Sequence, residues 1–289
     1  MTGILIFALG HPYYGEMAAN LAMSLKATSP EIPIHLIHHD RALQHVRDRL
    51  QFFDTMAECP PEAYMKKGFV RYFKAKTFMY DLSPFDDTVF LDADIIWFNR
   101  SVQEIIDGLK DVEFTIQNRG FLDLNGEQNH KYFWANYKEV KEKFRDTSKP
   151  NVKLYSLHSE FVWFKRSESN KLFFDKVKDL YENPPVKTEP FAGDVADEFA
   201  FGLASIMTGK EPHQTPFVPV YWQQLDKADG FEIPVIQKKY YGFSAGGNAH
   251  TRIAEEKYNI LARAYASRHG LHPFLLKKKR NIMPERIKM

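Results

Sequence analysis

The opening of this 289-residue chain narrows its architecture more than any other stretch. Ile4-Leu5-Ile6-Phe7-Ala8-Leu9 is an unbroken apolar run that stops at Gly10-His11-Pro12, the pattern of a strand buried on both faces and followed by a loop. Met17, Leu21 and Leu25, with Ala18 and Ala22 beside them, then recur at three- and four-residue spacing until Ser29-Pro30 stops the helix. Ile32 to Ile37 is a second strand. This order favours a parallel sheet with right-handed crossovers, so the expected class is α/β: a mostly parallel, twisted sheet flanked by helices.

Further along, Arg41 to Asp54 reads as helical, Pro60-Pro61 as a break, and Tyr64 to Leu82 as a third helix. Asp86-Asp87 turns into the short buried strand Thr88-Val89-Phe90-Leu91, which ends at Asp92-Ala93-Asp94. Phe114 to Ile116 and Phe161 to Phe164 have strand character, Asn170 to Tyr181 and Glu198 to Met207 helical character. Asn118 to Pro150 is polar, with one helical piece around Lys138 to Phe144, and reads as an insertion near 118–150. With no repeat and no convincing linker, a single domain over 1–274 is expected, followed by a basic tail over 275–289.

Composition sets outer limits. Hydrophobic residues at 44% and charged residues at 26% exclude wholesale disorder and a membrane bundle. The single cysteine, Cys59, excludes a disulfide framework or a Cys-rich zinc site and suits a reducing compartment. The N-terminal apolar run is too short for a signal segment or a membrane span, so a cytoplasmic, soluble protein is expected. A net charge of +2 excludes a uniformly basic nucleic-acid coat. Lys277, Lys278, Lys279, Arg280, Arg286 and Lys288 nevertheless gather at one end, either as a solvated tail or as a binding arm.

Chemistry concentrates at Asp92-Ala93-Asp94. Two carboxylates one residue apart at the carboxyl end of a buried strand lie where ligands bind in open α/β sheets. Their hard oxygens suit Mg²⁺ or Mn²⁺, which in turn bridge phosphate oxygens. The competing reading is a solvated turn stabilised by Asp. One enzyme class with a D-x-D at a strand end is the haloacid-dehalogenase-like phosphatases, with Asp92 as nucleophile and Gly193-Asp194-Val195-Ala196-Asp197 resembling their later acidic motif. That class wants the motif on the first strand with a small Thr or Val after it, where this chain has Ile96 behind about ninety residues of organised structure.

From Ile4 to about Gly247 the order of motifs more closely resembles the GT-A glycosyltransferases, and within them the glycogenin-like and lipopolysaccharide-galactosyltransferase-like enzymes of family eight. The resemblance implies a GT-A fold and a nucleotide-diphospho-sugar donor, most simply a UDP-sugar, with Mn²⁺ or Mg²⁺. It places Ala8 with Tyr13-Tyr14 at the donor's base and Asp92 and Asp94 on the metal. Lys76, counted back from Asp92, and Arg71 fall in the segment that meets the donor. Asp194-Val195-Ala196-Asp197-Glu198 matches an acidic D-x-x-D followed by Gln, which faces donor sugar and acceptor; Asp194 and Asp197 are equally good helix N-caps on sequence grounds. Of the family's Asn-Ser-Gly run, His158-Ser159-Glu160 retains only Ser159. The family's metal-binding His-Phe-x-Gly run is the clearest departure, because Gly242 stands where the histidine would be. Gly246 remains able to bring backbone N–H groups to a diphosphate, while His250 is the candidate replacement ligand and Arg252 a candidate cation.

The resulting expectation is a metal-dependent glycosyltransferase, with retention implied by the resemblance although no obvious nucleophile is present. The acceptor is a glycan, a protein or a modified base in DNA; the oligomeric state is open. Tyr132, Phe133, Trp134, Tyr137 and Trp222 are candidates for an acceptor groove as well as for core. Asp40 is a candidate for base or ribose and equally a turn residue, and His35, His38 and His39 read as packing or loop residues. The alternatives are the phosphatase and a non-catalytic sugar- or nucleic-acid-binding module.

Overall fold

In chain order the computed structural model, which describes residues 1–127, 130–132, 134–190, 194–215, 217–222, 232–246 and 252–276, begins with β1 (Thr2–Ala8), α1 (Pro12–Lys26), β2 (Ile34–His38) and β3 (Thr55–Glu58). Then come α2 (Pro61–Tyr64), the two-residue strands β4 (Met65–Lys66) and β5 (Phe69–Val70), and α3 (Met79–Leu82). The middle of the chain forms β6 (Asp87–Asp92), β7 (Ile95–Trp97), α4 (Gln103–Leu109), β8 (Phe114–Asp123), α5 (Tyr137–Phe144) and β9 (Lys153–Lys165). The last part forms α6 (Glu168–Glu182), α7 (Asp197–Thr208), β10 (Val218–Trp222), α8 (Ile233–Ile236), β11 (Tyr240–Ser244) and α9 (Arg252–Arg268).

The main sheet has six strands in the order β3-β2-β1-β6-β9-β8. The first four run parallel, while β9 is antiparallel to β6 and β8 antiparallel to β9. The mostly parallel, helix-flanked sheet is thus present, with an antiparallel edge. Period-2 alternation sends Leu5, Phe7, Phe90, Val162 and Phe164 into a core closed by α6 and α7. Ile4, Ile6, Val89, Leu91, Phe161 and Trp163 go to the opposite face, closed by α1 and α4. A smaller sheet, β10-β11-β7, packs with α9 around Ile96, Phe98, Tyr221, Phe243 and Tyr258. Asp92 is the last residue of β6 and Ile95 the first of β7, so Asp92-Ala93-Asp94 is the junction between the two sheets.

Two expected helices are broken. Between β2 and β3 the chain forms 3₁₀ pieces over Asp40–Leu43 and Arg47–Phe52. Contact with α1 overrides the helical pattern there. The Ala42 carbonyl lies where a Cβ on Gly15 would be, and the buried Arg49 pairs with Glu16. The Tyr64–Leu82 segment is interrupted because Lys67 (φ 51°) and Gly68 (φ 76°), both left-handed, close the β4–β5 hairpin. A 3₁₀ helix over Tyr72–Phe78 follows. Within the expected insertion, 118–123 is strand: β8 continues to Asp123 across two register shifts, opposite the first half of β9. The helix there begins at Tyr137, capped by Asn136, whose side chain accepts from the Lys138 N–H.

The core on the α6/α7 face is organised around Phe174, whose ring sits 4.9 Å from Phe164, 5.4 Å from Tyr80 and 5.5 Å from Phe173. Phe174→Ala is expected to lower unfolding stability by about 3–5 kcal/mol in a denaturant titration. A loss below about 1 kcal/mol would show that this face can collapse around the cavity.

Candidate active site

Asp92 has the same strand parity as Phe90, so its side chain emerges on the α6/α7 face, just past the last apolar layer. There it meets Lys76, delivered from the opposite wall by the 3₁₀ helix: Lys76 Nζ donates to Asp92 Oδ2 at 2.6 Å and to Ser159 Oγ of β9 at 3.0 Å. Its Nζ stands 3.9 Å from Asp197 Oδ2. Burial pulls the Lys76 ammonium toward deprotonation, but Asp92, Asp197 and Glu160 together outweigh it and hold its pKa above the ordinary lysine value. Lys76 is therefore a permanent cation.

The acids around it outnumber it. Burial raises the Asp92 pKa to about 8, opposed by Lys76 and reinforced by Asp94 and Glu160. Glu160, on β9, is raised to about 7, again chiefly by burial and against the pull of Lys76. Glu198, in the first turn of α7, is raised by burial, Glu160 and Asp197. Asp197 is the first residue of α7, 3% exposed, where the helix N-terminus favours negative charge. The cap is Ala196, with no side-chain hydrogen bond, so neither Asp194 nor Asp197 serves as the N-cap that the sequence also allowed.

Asp94 lies across the junction. Its carbonyl accepts from the Ala245 N–H at 3.0 Å, and Ser244 Oγ is 3.4 Å from Asp94 Oδ1. Gly246 is packed so tightly against this carboxylate that a Cβ would lie 1.9 Å from Oδ2, so any other residue at 246 would displace the Asp94 side chain. Tyr14, in the first turn of α1, is 37% exposed as a residue while its hydroxyl is driven to a pKa of about 12 by burial and by the charges of Asp94 and Asp92. Asp92, Asp94, Lys76, Tyr14, Gly246 and Asp197 thus meet in one place. The donor set suits a hard divalent cation: two carboxylates near enough to feel one another's charge flank one turn, glycine backbone packs against one of them, and acidic groups outnumber basic ones.

Arg71 and Asp194 meet instead in a network of their own. Asp194 is held by Arg71 Nε at 3.2 Å, Lys66 Nζ at 3.5 Å and the Tyr181 hydroxyl at 2.9 Å. This network ties α6, the β4–β5 hairpin and the segment before α7 together. Lys74, which would share a helix face with Arg71 in a regular α-helix, turns to the Met65 carbonyl and Glu182. Ala8 is buried at the end of β1, its carbonyl accepting from His39, and Tyr13 packs its ring against His11 and Phe274. Asp40 is exposed in a 3₁₀ turn, His35 bonds Thr55, and His39 packs on Tyr64. Tyr137 is core, while Tyr132 and Trp134 pack partly buried against it. His250, Phe133, the tail from Lys277 and the side chains of Trp222 and Arg252 lie outside the described residues.

Sequence reasoning passed over His158, Glu160 and Glu198. All three stand in motifs quoted for their neighbours. The i, i+2 spacing on a strand was the available signal, because it puts His158 and Glu160 on one side of β9.

No family model and no curated protein sequence matches this chain. Solved structures do. The galactosyltransferase LgtC, in complex with donor and acceptor sugar analogues, superposes with a TM-score of 0.55 at 14% identity, over 97% of this chain and 98% of that one. The apo bifunctional glycosyltransferase WbbM gives 0.56 at 10% identity over 86% of this chain, which spans only 46% of WbbM. Mouse xyloside xylosyltransferase 1 gives 0.52 at 13% identity over 88% and 100%. The chain has the GT-A fold of these glycosyltransferases. Among the described residues no helix is long and apolar enough to cross a membrane.

The raised acids set a pH dependence. Glu160 ordinarily titrates near 4.5 and here near 7, so between those values the folded state binds more protons than the unfolded chain, and stability falls as pH rises. In metal-free protein, unfolding stability is expected to decline from pH 5 to pH 8, and Glu160→Gln to flatten that decline. A slope of the opposite sign, or one unchanged by Glu160→Gln, would contradict this electrostatic account.

Proposed function

We propose that this protein is a glycosyltransferase that moves a sugar from a nucleotide-diphospho-sugar, most simply a UDP-sugar, to an acceptor hydroxyl. The observation that carries the reading is the Asp92-Ala93-Asp94 junction facing Lys76 within a GT-A fold. Asp92 and Asp94 would hold Mn²⁺ or Mg²⁺, which supplies charge stabilisation to the departing diphosphate.

The chain's own groups divide the remaining work. Lys76, kept cationic by its acids, offers a preorganised positive charge beside the phosphates. The backbone at Gly246 can approach the same oxygens because no side chain intervenes. Asp197 Oδ2, buried without a hydrogen bond, is available to accept from a hydroxyl of the donor sugar or acceptor. The Tyr14 hydroxyl, near enough to feel the Asp94 and Asp92 charges, is a further polar group available to the donor. Asp194 acts at one remove, fixing α7 and hence Asp197 through Arg71, Lys66 and Tyr181. Retention of configuration is the part of this proposal that the family resemblance suggests; a glycan or protein is the default acceptor, and a DNA acceptor rests on the aromatic residues near 118–150 and the basic tail of the sequence. A single domain carries the reading, with the basic tail as an accessory.

The test is a donor screen by thermal shift with and without Mn²⁺. One nucleotide-sugar is expected to stabilise the protein only with the metal, by about 2.7 kcal/mol at a hundred times its Kd. Asp94→Asn should abolish that shift and lower turnover by about 10²-fold or more. Metal-independent donor affinity that survives Asp94→Asn would overturn the proposal. Covalent phosphorylation of Asp92 with hydrolysis of an aryl phosphate would establish the phosphatase instead.

A further inference from the structure

His158 Nδ1 lies 3.8 Å from Glu160 Oε2 and 3.6 Å from Glu198 Oε1, and one ligand atom from each of the three falls within 4.8 Å of the others. The three side chains come from β9 and the start of α7, two elements fixed by the core on either side of them. His158 is 6% exposed. Glu160 Oε2 is fully buried and makes no hydrogen bond. Asp197, 3% exposed, adds its charge to both glutamates, and its Oδ2 likewise has no hydrogen bond.

Buried acid oxygens without donors are costly unless the group stays protonated or a cation joins them. Lys76 is committed to Asp92 and Ser159, and stands off from Asp197. An ammonium group donating to three such partners would hold them about 4.6 Å apart, from hydrogen bonds of about 2.8 Å in tetrahedral array. Bonds of about 2.1 Å to a tetrahedral metal bring ligand atoms to about 3.4 Å. The histidine-to-glutamate separations of 3.6 and 3.8 Å lie nearer the second, and all three ligand atoms fall within 4.8 Å of one another.

We infer that His158, Glu160 and Glu198 form a second divalent-cation site, separate from Asp92 and Asp94, for a transition metal such as Zn²⁺ or Mn²⁺. One nitrogen and two carboxylate ligands are a donor set for such metals, and three protein ligands leave a coordination position open to water or to a hydroxyl of a bound sugar. The site stands on its own geometry and does not rest on the glycosyltransferase reading.

The experiment uses the full chain and Co²⁺ alone, read by d–d absorption and by bound metal after equilibrium dialysis, with no nucleotide. Asp94→Asn, which disables the first site, is expected to retain one equivalent of Co²⁺ with visible bands. Adding His158→Ala or, as the isosteric change, Glu198→Gln should weaken that binding at least about tenfold. Circular dichroism identifies any variant that fails to fold, and Glu198→Gln then decides. An Asp94→Asn protein that binds no Co²⁺, or one whose binding is untouched by Glu198→Gln, overturns the inference. Because donor and activity play no part, failure here leaves the proposed function standing, and failure of donor binding leaves this site standing.

Discussion

The ion pair between Lys76 and Asp92 is the contact on which the rest of the cleft depends. A buried ammonium is tolerated only because acids surround it, and buried acids only because it is there. Lys76 comes from the 3₁₀ segment before β6, Asp92 from the end of β6, Ser159 from β9 and Asp197 from α7. One side chain therefore cross-links four pieces of chain that are distant in sequence. It also leaves more acidic groups than basic ones around it, and that surplus of oxygen ligands is the chemical reason to expect cations.

The junction between the sheets gives this cluster its position. β6 ends and β7 begins with only Ala93 and Asp94 between them, and Ala93 is buried. Asp94 is thereby fixed by backbone from both directions, with Ala245 and Gly246 of the smaller sheet's loop packed on it. A rigid turn flanked by two cores can hold two carboxylates toward one ligand where an exposed loop could not. The network around Asp194 belongs to the same logic, because it secures the approach to α7 instead of facing the cleft.

Much of this was legible from residue order. The apolar runs at Ile4 to Leu9 and Thr88 to Leu91 announced central strands because strands buried on both faces need no polar alternation. The Asp92-Ala93-Asp94 signal was readable because carboxylates after such a run have few structural uses. The helix over Tyr64–Leu82 was misjudged because Lys67-Gly68 carries a hairpin turn that periodicity overlooks. The 118–123 stretch looked like loop because its pairing partner lies some thirty residues away on β9, a long-range contact without local signature. His158, Glu160 and Glu198 were hidden for a similar reason: their meeting depends on where α7 lands on β9.

The central claim is that Asp92 and Asp94 hold a cation against a nucleotide diphosphate beside Lys76. A crystal structure of the protein with Mn²⁺ and UDP tests it most directly. An anomalous peak coordinated by Asp92 or Asp94, with the diphosphate on it and Lys76 alongside, is the predicted result. Mn²⁺ and UDP bound together elsewhere on the chain, leaving both carboxylates untouched, would contradict the account.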